Sequence, residues 1–579
     1  MLKLFKNLKP FTAMIVFIIL FIFGQAMAEL TLPTLMSDVV NNGMMRGDTA
    51  YILTYGGYML VVALTSSLFS IIGAYLSAKV ALGLGKNLRN MVFTRVENYS
   101  LHEFDKLGTA SLVTRTTNDI VQIQTVLVMM LRFIIYAPVM CVGGIIMAVS
   151  RDKGLTIILL FVIPILLIFM GTVAVSVMPA FKAMQIKLDR LNMVLRENLT
   201  GIRVIRAFNK LDHERERFKD ANRDLTNTAI KVNQTMAVMQ PVMMLIMSLT
   251  SMAITWFGGW RIAQNNMQIG DMMAFIQYAM QIMFSFIMVA VMFVMVPRAQ
   301  ASADRVNEVL DMEPEINDPI NIKIFGNKKG YVEFKNVTFR YSGAEQPVIS
   351  NISFEVKPGE TTAIIGGTGS GKSTLINLIP RFYETSEGEV LVDGVNVTEI
   401  SQNDLRSKIG FVPQAAVLFS GSITKNIRYG KEEATEQEIY KAAEIAQATN
   451  FISEMPEGFD TEIAQGGTNV SGGQKQRLSI ARALVRNPEI YIFDDSFSAL
   501  DFKTDSLLRS ALKSVTAESA IIIVAQRVST IMDADQILVL DEGRMVGKGT
   551  HKELLSNCHV YREIVSSQLT EEELTNYER

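Results

Sequence analysis

The nine residues Gly366–Thr374 read GGTGSGKST, and they decide the fold of the C-terminal half of the chain. The strand-like run TTAIIG leads into them and the helix-like run LINLI follows. A glycine-rich loop between a strand and a helix is the pattern of a phosphate-binding loop, or P-loop. Its backbone N–H groups turn inward around phosphate groups, Lys372 reaches the β- and γ-phosphates, and Ser373 offers a hydroxyl to Mg²⁺. The predicted phosphate-binding residues are Gly366, Gly367, Thr368, Gly369, Ser370, Gly371, Lys372, Ser373 and Thr374.

A second motif lies downstream, where the run IYIFDD at Ile490–Asp495 forms a short apolar strand that ends in two carboxylates. Asp494 is placed to hold Mg²⁺ through water, as a Walker B aspartate does. Between the two motifs stands NVSGGQKQR. We expect Ser471, Gly472 and Gly473 to form a further backbone nest, at a helix N-terminus, for a γ-phosphate. Gln474 completes this VSGGQ motif.

The N-terminal half is of a different kind, because long apolar stretches dominate it up to about residue 320. The whole chain of 579 residues is 49% apolar and only 19% charged, which makes a wholly soluble enzyme a poor prediction. Each stretch has the length of about 20 residues that a bilayer requires. The predicted spans are 12–36, 54–78, 124–149, 155–178, 239–263 and 272–296.

Charge along these loops predicts the topology. Basic residues concentrate between spans two and three and between spans four and five, which should place those segments in the cytoplasm. Both termini and the C-terminal domain are then expected on the cytoplasmic side. An alternative is a cleaved signal peptide ending at Ala26-Met27-Ala28, but the apolar character continues through Leu35 and favours an uncleaved helix.

Net charge and rare residue types exclude several functions. With 55 basic and 57 acidic residues the net charge is −2, so no global basic field attracts nucleic acid. Two cysteines, Cys141 and Cys558, give neither a disulfide framework nor a metal-binding spacing, and four histidines contain no HExxH.

Taken in order, GGTGSGKST, the glutamine of FVPQ, VSGGQ, IYIFDD and SALD resemble the motifs of an ABC ATPase. Six spans ahead of them resemble an ABC exporter half-transporter over nearly the whole chain. The resemblance implies a polytopic α-helical membrane domain, with long cytoplasmic helical extensions, at residues 1–320. It is fused to an α/β P-loop ABC ATPase domain at residues 321–579.

The same resemblance assigns ATP and Mg²⁺ as cofactors and a dimer in which each ATP lies between one P-loop and the other chain's signature VSGGQ. It implies that Tyr341 stacks on adenine and that Gln414 contacts Mg²⁺ and faces the membrane domain. Residues 103–119 and 197–210 match the coupling helices of the family, although both could be solvated helical surface.

Two catalytic positions depart from the family pattern. Where the family usually has the glutamate that polarises the attacking water, this chain has Asp495, which is one methylene shorter. A misplacement of about 1 Å can cost roughly 10²-fold in rate. Where the family usually has a histidine that contacts the γ-phosphate, this chain has Gln526, which cannot carry positive charge. Gln465 stands where such exporters commonly have a glutamate.

The departures affect only the chain's own P-loop site, because VSGGQ is intact. We therefore predict a heterodimer with a similar half-transporter that supplies glutamate and histidine at the competent site, as in bacterial multidrug-type exporters of the plasma membrane. Alternatives are a slow homodimer and a regulatory subunit that binds ATP as a clamp.

Polar and methionine residues in the spans bear on the cargo. The polar residues are Glu29, Gln122, Arg132, Gln240, Gln277 and Gln281, which face either a translocation path or other helices. Methionines cluster between Met236 and Met295, and adaptable thioethers suit varied apolar ligands, although many could be plain core residues. We predict export of amphipathic small molecules, with a lipid flippase or a peptide or bacteriocin exporter as alternatives.

Overall fold

The computed structural model describes residues 1–326 and 328–568. The chain divides into two compact units. The membrane unit comprises Met1–Glu97 and Thr109–Met312, and the nucleotide unit comprises Asn98–Gly108 and Glu313–Arg579, of which 327 and 569–579 lie outside the described residues. The predicted domain boundary between residues 320 and 321 lies eight residues beyond Met312. Residues 569–579, the end of the predicted C-terminal domain, lie outside the described part of the chain.

Long helices build the membrane unit. They are α1 (Leu2–Phe5), α2 (Thr12–Asp38), α3 (Thr49–Glu97), α5 (Thr109–Thr114), α6 (Ile120–Arg151), α7 (Thr156–Thr200), α8 (Ile202–Ala207), α9 (Leu211–Ala263) and α10 (Ile269–Asp311). Two π-helical turns, Val39–Met44 and Arg115–Asp119, and a 3₁₀ turn, Lys6–Phe11, join some of them. In the described part of the chain, six helical stretches are long and apolar enough to cross a bilayer. The predicted α-helical membrane domain is confirmed.

These helices run well past the predicted spans. The span predicted at 54–78 lies within the 49 residues of α3, and the span predicted at 239–263 ends the 53 residues of α9. The extra turns are less apolar and extend the helices beyond bilayer length. Helix α2 continues without a break through Ala28, where a signal peptide would be cut.

Glycines let the helices of this unit approach closely. A Cβ at Gly85 in α3 would overlap the side chain of Gln124 in α6. A Cβ at Gly144 in α6 would lie 2.9 Å from Ile282 in α10. Close packing of this kind stabilises contacts between membrane helices, because lipid tails leave no hydrophobic driving force for helix association.

Glu29 in α2 joins helix α2 to α3 and α6 through its carboxylate and to α10 through its backbone carbonyl. Ser66 Oγ donates to Glu29 Oε1 at 3.2 Å, Tyr136 OH donates to Oε2, and Gln281 Nε2 donates to the Glu29 carbonyl at 3.3 Å. Of the other predicted polar residues in the spans, Arg132 is half-buried, whereas Gln122, Gln240 and Gln277 are exposed on this chain. Glu29 and Gln281 therefore serve interhelix contacts.

The first coupling-helix candidate, residues 103–119, contains two short helices followed by the π-helical turn Arg115–Asp119. Helix α4 (Leu101–Leu107) belongs to the nucleotide unit and is capped by Ser100 and Glu103. Gly108, with φ +72°, ends it before α5. In the second candidate, residues 197–210, helix α8 lies between the bends at Gly201 and Phe208. The left-handed backbone at Gly108, which favours glycine, separates α4 from α5.

The nucleotide unit alternates strands and helices. Its strands are β1 (Val332–Phe339), β2 (Ile349–Val356), β3 (Thr361–Gly366), β4 (Glu387–Val392), β5 (Val395–Asn396), β6 (Ile409–Val412), β7 (Gly421–Ser422), β8 (Glu462–Ile463), β9 (Ile490–Asp494), β10 (Ala520–Val524), β11 (Gln536–Asp541) and β12 (Arg544–Gly549). Its further helices are α11 (Lys372–Asn377), α12 (Gln402–Ser407), α13 (Ile423–Arg428), α14 (Glu436–Ile445), α15 (Thr449–Ser453), α16 (Gly472–Leu484), α17 (Phe502–Val515), α18 (His551–Asn557) and α19 (His559–Ser566).

The main sheet has six strands in the order β12-β11-β3-β10-β9-β6. The strands from β11 to β6 are parallel, and β12 pairs antiparallel with β11. Alternate residues of β9 enter two different cores: Tyr491 and Phe493 on one face, Ile490 and Ile492 on the other. A strand buried on both faces reads as a continuous apolar run, as IYIF does.

Candidate nucleotide site

The sheet topology brings the predicted site residues together. The P-loop follows β3, Gln526 follows β10 after one residue, Asp494 ends β9, and Gln414 lies two residues after β6. These four strands are adjacent and parallel, so their carboxyl ends share one edge of the sheet. A crevice at the carboxyl ends of parallel strands is where open α/β sheets bind ligands.

The P-loop wraps around the ammonium group of Lys372. Its Nζ donates to the carbonyl oxygens of Gly366 at 2.9 Å and Gly367 at 2.7 Å. Gly369 and Gly371 have φ values of +83° and +92°, which a side chain would strain. Burial lowers the pKa of Lys372, while the nearby aspartate charges act in the opposite direction. The loop therefore forms a pocket that already holds a cation at the position predicted to meet phosphate.

Ser373 and Asp494 meet at the predicted Mg²⁺ position. Ser373 Oγ donates to Asp494 Oδ1 at 3.0 Å. Burial raises the pKa of Asp494, and the adjacent charge of Asp495 adds to this, whereas the Ser373 hydrogen bond lowers it. A hydroxyl and a carboxylate are hard oxygen donors of the kind that Mg²⁺ takes, so this pair fits the predicted metal.

Asp495 receives two glutamine side chains on one carboxylate oxygen. Gln526 Nε2 donates to Asp495 Oδ2 at 2.8 Å, and Gln414 Nε2 donates to the same oxygen at 3.3 Å. Burial raises the pKa of Asp495, and hydrogen bonds from Ser498 and Gln414 oppose this. With φ at +46°, Asp495 stands in the left-handed region, which aspartate tolerates better than most residues. The structure thus unites the two residues that depart from the family pattern.

Tyr341 lies beside the P-loop helix. Its hydroxyl is 3.0 Å from Thr374 Oγ1, and its ring packs edge-on against Phe339 and Tyr383. The ring is half-buried, so it combines a fixed position with a face that a base could approach. Its predicted contact with adenine stays a prediction.

The signature forms the start of helix α16. Ser471 Oγ accepts from the backbone N–H of Gln474 at 3.3 Å, and the backbone N–H of Ser471 donates to Gln474 Oε1 at 2.8 Å. This capping box leaves the amides of Gly472 and Gly473 among those without intrahelical acceptors. Ser471 and Gly472 are exposed. Within residues 1–326 and 328–568, no hydrogen bond or ion pair joins this motif to the chain's own P-loop.

Three hydrogen bonds at the site, two by Gln568 and one by Arg527, were not predicted. Gln568 Nε2 donates to the Gln526 carbonyl at 2.8 Å, and the Val528 amide donates to Gln568 Oε1 at 2.9 Å. Arg527 Nη2 donates to the Ser498 carbonyl at 3.2 Å. No local motif marks Gln568, which lies 42 residues beyond Gln526. Gln465, by contrast, was noted in the sequence and lies in a 3₁₀ turn before the signature.

Comparison with known proteins matches both units. Residues 15–286 match the ABC transporter transmembrane region, and residues 349–498 match the ABC transporter domain. An uncharacterized ABC transporter ATP-binding protein of Mycobacterium tuberculosis is 41% identical over 97% of both chains. An ATP-dependent lipid A-core flippase of Pseudomonas fluorescens is 33% identical over 87% of this chain and 83% of its own.

A solved structure agrees with these sequence relatives. A bacterial Atm1-family ABC exporter with ATP bound superposes with a TM-score of 0.80 at 27% identity, covering 97% of this chain and 99% of that one. The predicted fold class is confirmed, and the chain is a multi-pass membrane protein. It belongs to the ABC transporter family as an exporter half-transporter, with a membrane domain followed by a nucleotide-binding domain.

Proposed function

We propose that this chain is one half of a heterodimeric bacterial exporter that uses ATP to move amphipathic small molecules out across the plasma membrane. Its nucleotide unit and both termini are cytoplasmic in this proposal. The observation that carries the proposal is the contact between Gln526 and Asp495, which ties the position of the catalytic base to an uncharged amide. A partner chain supplies glutamate and histidine at the other site.

ATP and Mg²⁺ fit the residues present. The amides of Gly366–Thr374 and the ammonium of Lys372 would hold the phosphates, and Tyr341 would stack on the base. Ser373, Asp494 and Gln414 would hold Mg²⁺, which neutralises phosphate charge when bound. Lys372 now donates to two loop carbonyls, and phosphate oxygens would replace those acceptors.

The chain's own site should turn over slowly for two reasons. The Asp495 carboxylate is one methylene shorter than a glutamate, and its Oδ2 already accepts two amide hydrogen bonds, which compete with an attacking water for this oxygen. Gln526 can donate a hydrogen bond to a phosphate but brings no positive charge to the transition state. ATP would therefore bind at this site and remain for longer than at the partner's.

The partner's site should be the active one, because this chain's signature is intact. The exposed N-terminus of α16 presents Ser471, Gly472 and Gly473 with the cap of Gln474 in place. Anions bind well at such a helix N-terminus. The signature of this chain would then complete the competent site in which the partner's P-loop holds ATP.

A lipid flippase is the second candidate for the cargo. One relative that is 33% identical is named a lipid A-core flippase. Lipids are amphipathic, and the methionine-rich helices α9 and α10 suit either kind of cargo. We favour amphipathic small molecules as the cargo, and lipid transport is one of the outcomes of the test below.

The test compares the two P-loop lysines in the assembled heterodimer. The heterodimer with Lys372→Ala should retain at least about tenfold more ATPase and transport activity than the heterodimer with the same change in the partner's P-loop, because Lys372 serves the slow site. Lys357→Ala, at an exposed lysine of the same unit, is the matched control. Equal losses from the two P-loop changes would contradict the asymmetry.

Transport in proteoliposomes separates the remaining alternatives. Efflux of an amphipathic dye supports the proposal, whereas movement of a fluorescent lipid without dye efflux supports the flippase. If the chain assembles and transports only with itself, it is a slow homodimer. If Lys372→Ala abolishes cargo stimulation of the partner while leaving basal partner ATPase intact, the chain is a regulatory clamp.

A further inference from the structure

The side chain of Gln568, in the turn that follows α19, holds the segment that carries Gln526. Its Nε2 donates to the Gln526 carbonyl at 2.8 Å, and its Oε1 accepts from the Val528 amide at 2.9 Å. One amide thus uses a donor and an acceptor on backbone groups that flank a single residue, Arg527. We call this pair of contacts the Gln568 clamp.

Helix α19, which leads to Gln568, is packed into the core of the nucleotide unit. Tyr561 and Val565, on the helix that leads to Gln568, are 0% exposed and belong to the core on one face of the main sheet. Tyr561 OH lies 2.7 Å from His551 Nδ1, which joins α19 to α18. The helix that leads to Gln568 is therefore anchored in the core beside the strands whose ends form the nucleotide site.

The clamp supplies a bond that the backbone cannot make for itself. Val528 begins the 3₁₀ turn Val528–Thr530, so its N–H has no acceptor inside that turn. Val528 is fully buried, and a buried N–H without an acceptor costs about 1–3 kcal/mol. Gln568 Oε1 is the acceptor that removes this cost.

The other half of the clamp acts on the residue that reaches Asp495. The Gln526 side chain donates to Asp495 Oδ2 at 2.8 Å, while its own carbonyl is held by Gln568. Arg527, between the two clamped groups, donates to the Ser498 carbonyl at 3.2 Å. The backbone carbonyl of Gln526 is therefore bound by Gln568, and the side chain of Gln526 is bound by Asp495.

We propose that Gln568 is a positioning residue for the nucleotide site, whose side-chain amide fixes the backbone around Arg527 so that Gln526 is presented to Asp495 and to the γ-phosphate of bound ATP. The clamp itself is independent of cargo and partner. Its effect on nucleotide retention rests on the proposed function, in which ATP stays long at this site.

The first experiment measures the contact in the full chain, in nanodiscs and with any partner that co-purifies. Hydrogen–deuterium exchange with overlapping peptides follows the Val528 amide. Gln568→Ala should speed its exchange about tenfold, the effect expected when one hydrogen bond is lost. Gln568→Glu keeps the acceptor for Val528 but loses the donor to Gln526, so it should preserve most of this protection.

Ser567→Ala is the matched control. Ser567 Oγ donates to the Ile564 carbonyl in its own helix at 2.7 Å, so this change removes a C-terminal hydrogen bond without touching the clamp. It should leave the Val528 exchange rate unchanged. Unchanged exchange in Gln568→Ala, or equal acceleration in Ser567→Ala, would overturn the clamp whatever the chain transports.

The second experiment asks whether Gln568 acts through Gln526. The rate at which a fluorescent ATP analogue leaves this chain with Mg²⁺ present should rise several-fold in Gln568→Ala. In a Gln526→Ala background the same change should add little, because the group being positioned is gone. Fully additive effects would reduce Gln568 to ordinary packing and overturn the positioning role.

The two proposals fail in distinguishable ways. Fast ATP hydrolysis by this chain's own site, together with the expected exchange pattern and the expected non-additivity, would refute the slow site and keep the clamp. Slow ATP hydrolysis at this site together with additive effects of the Gln568 and Gln526 changes would keep the slow site and refute the positioning role of Gln568. If Gln568→Ala does not yield folded protein, Gln568→Glu still tests the donor half, because losing the bond to the Gln526 carbonyl should by itself raise the rate at which the ATP analogue leaves. An unchanged rate in that variant would overturn the positioning role.

Discussion

Gln526 Nε2 lies 2.8 Å from Asp495 Oδ2, so the two residues that depart from the usual family pattern are hydrogen-bonded to each other. The bond crosses from the end of β10 to the end of β9, strands that pair in parallel. A histidine and a glutamate at these positions would have different lengths and charges. The two departures therefore form one matched pair, and we expect changes at one to depend on the other.

Restoring both residues should raise ATP hydrolysis. Asp495→Glu adds the missing methylene, and Gln526→His adds a group that can carry positive charge toward the γ-phosphate. We expect the double variant to gain up to roughly 10²-fold in steady-state phosphate release over the full wild-type chain, because about 1 Å of misplacement can cost that much. Each single variant should gain less, since it leaves a mismatched pair. Robust turnover by the wild-type chain alone would contradict the prediction.

The buried charge of Asp495 should cost stability when no nucleotide is bound. Its pKa is raised by burial, so the folded protein binds the proton more readily than the unfolded chain does. The cost is absent below the unfolded pKa of about 3.9 and complete once the pH exceeds the raised value in the folded protein. Asp495→Asn should therefore raise the melting temperature at pH 7.5 by about 2 °C, and the gain should vanish as the pH falls toward 4.

Asp501→Asn is the control of opposite sign. Asp501 caps α17 by accepting from the Thr504 amide and hydroxyl, and these bonds lower its pKa. A carboxyl with a lowered pKa stabilises the fold above its unfolded pKa and loses that effect as the pH falls. Asp501→Asn should not raise the melting temperature at pH 7.5. A gain equal to that of Asp495→Asn would show that burial of Asp495 is not the cause.

The sequence predicted those parts of the site that follow from local pattern. The spacing of glycines and Lys372 defines a P-loop, and the run from Ile490 to Asp494 defines a buried strand, because each motif lies on one element. Gln568 could not be predicted, since its partners are backbone groups 40 and 42 residues away. The pairing of Gln526 with Asp495 likewise depends on which strands are neighbours.

The membrane half was predictable in a coarser way. A window of bilayer length finds apolar segments, but it does not show where a helix ends once it leaves the bilayer, so α3 and α9 exceed their predicted spans. Glu29 was recognisable as an intramembrane carboxylate. Its donors Ser66 and Tyr136 lie on other helices, and only the packing of those helices identifies them.

Gly270, near the start of α10, should tolerate no side chain. A Cβ there would overlap the carbonyl oxygen of Ser37 and lie 2.7 Å from Asn41 Oδ1, which accepts from the Gly270 amide. A backbone oxygen cannot move aside cheaply, so Gly270→Ala should cost about 1–3 kcal/mol. Gly259→Ala, where a Cβ meets nothing within 4 Å, is the control and should be neutral or stabilising. Melting curves in detergent would measure both, and equal melting temperatures would contradict this view of the contact.

The signature should be the most sensitive part of this chain for transport, although it lies outside the chain's own P-loop site. A Cβ at Gly473 would lie 3.1 Å from the carbonyl oxygen of Ala499, so Gly473→Leu must disturb the SALD segment as well as anything that docks on α16. A Cβ at Gly472 meets nothing within 4 Å in this chain. Gly472→Leu is therefore the cleaner variant, because its effect must arise from what docks there.

We expect both variants to stop vesicle transport by blocking closure over the phosphate held by the partner's P-loop. Photolabelling with a nucleotide analogue should still mark this chain, since Tyr341 and Lys372 are unchanged, and Gly472→Leu should melt like the wild type. Asn450→Leu, at an exposed position outside the motifs, is a control for a bulky surface substitution. If Gly472→Leu and Gly473→Leu transport normally, this chain's signature does not close over the partner's nucleotide. If only Gly473→Leu fails, the loss comes from Ala499 within this chain and not from the dimer.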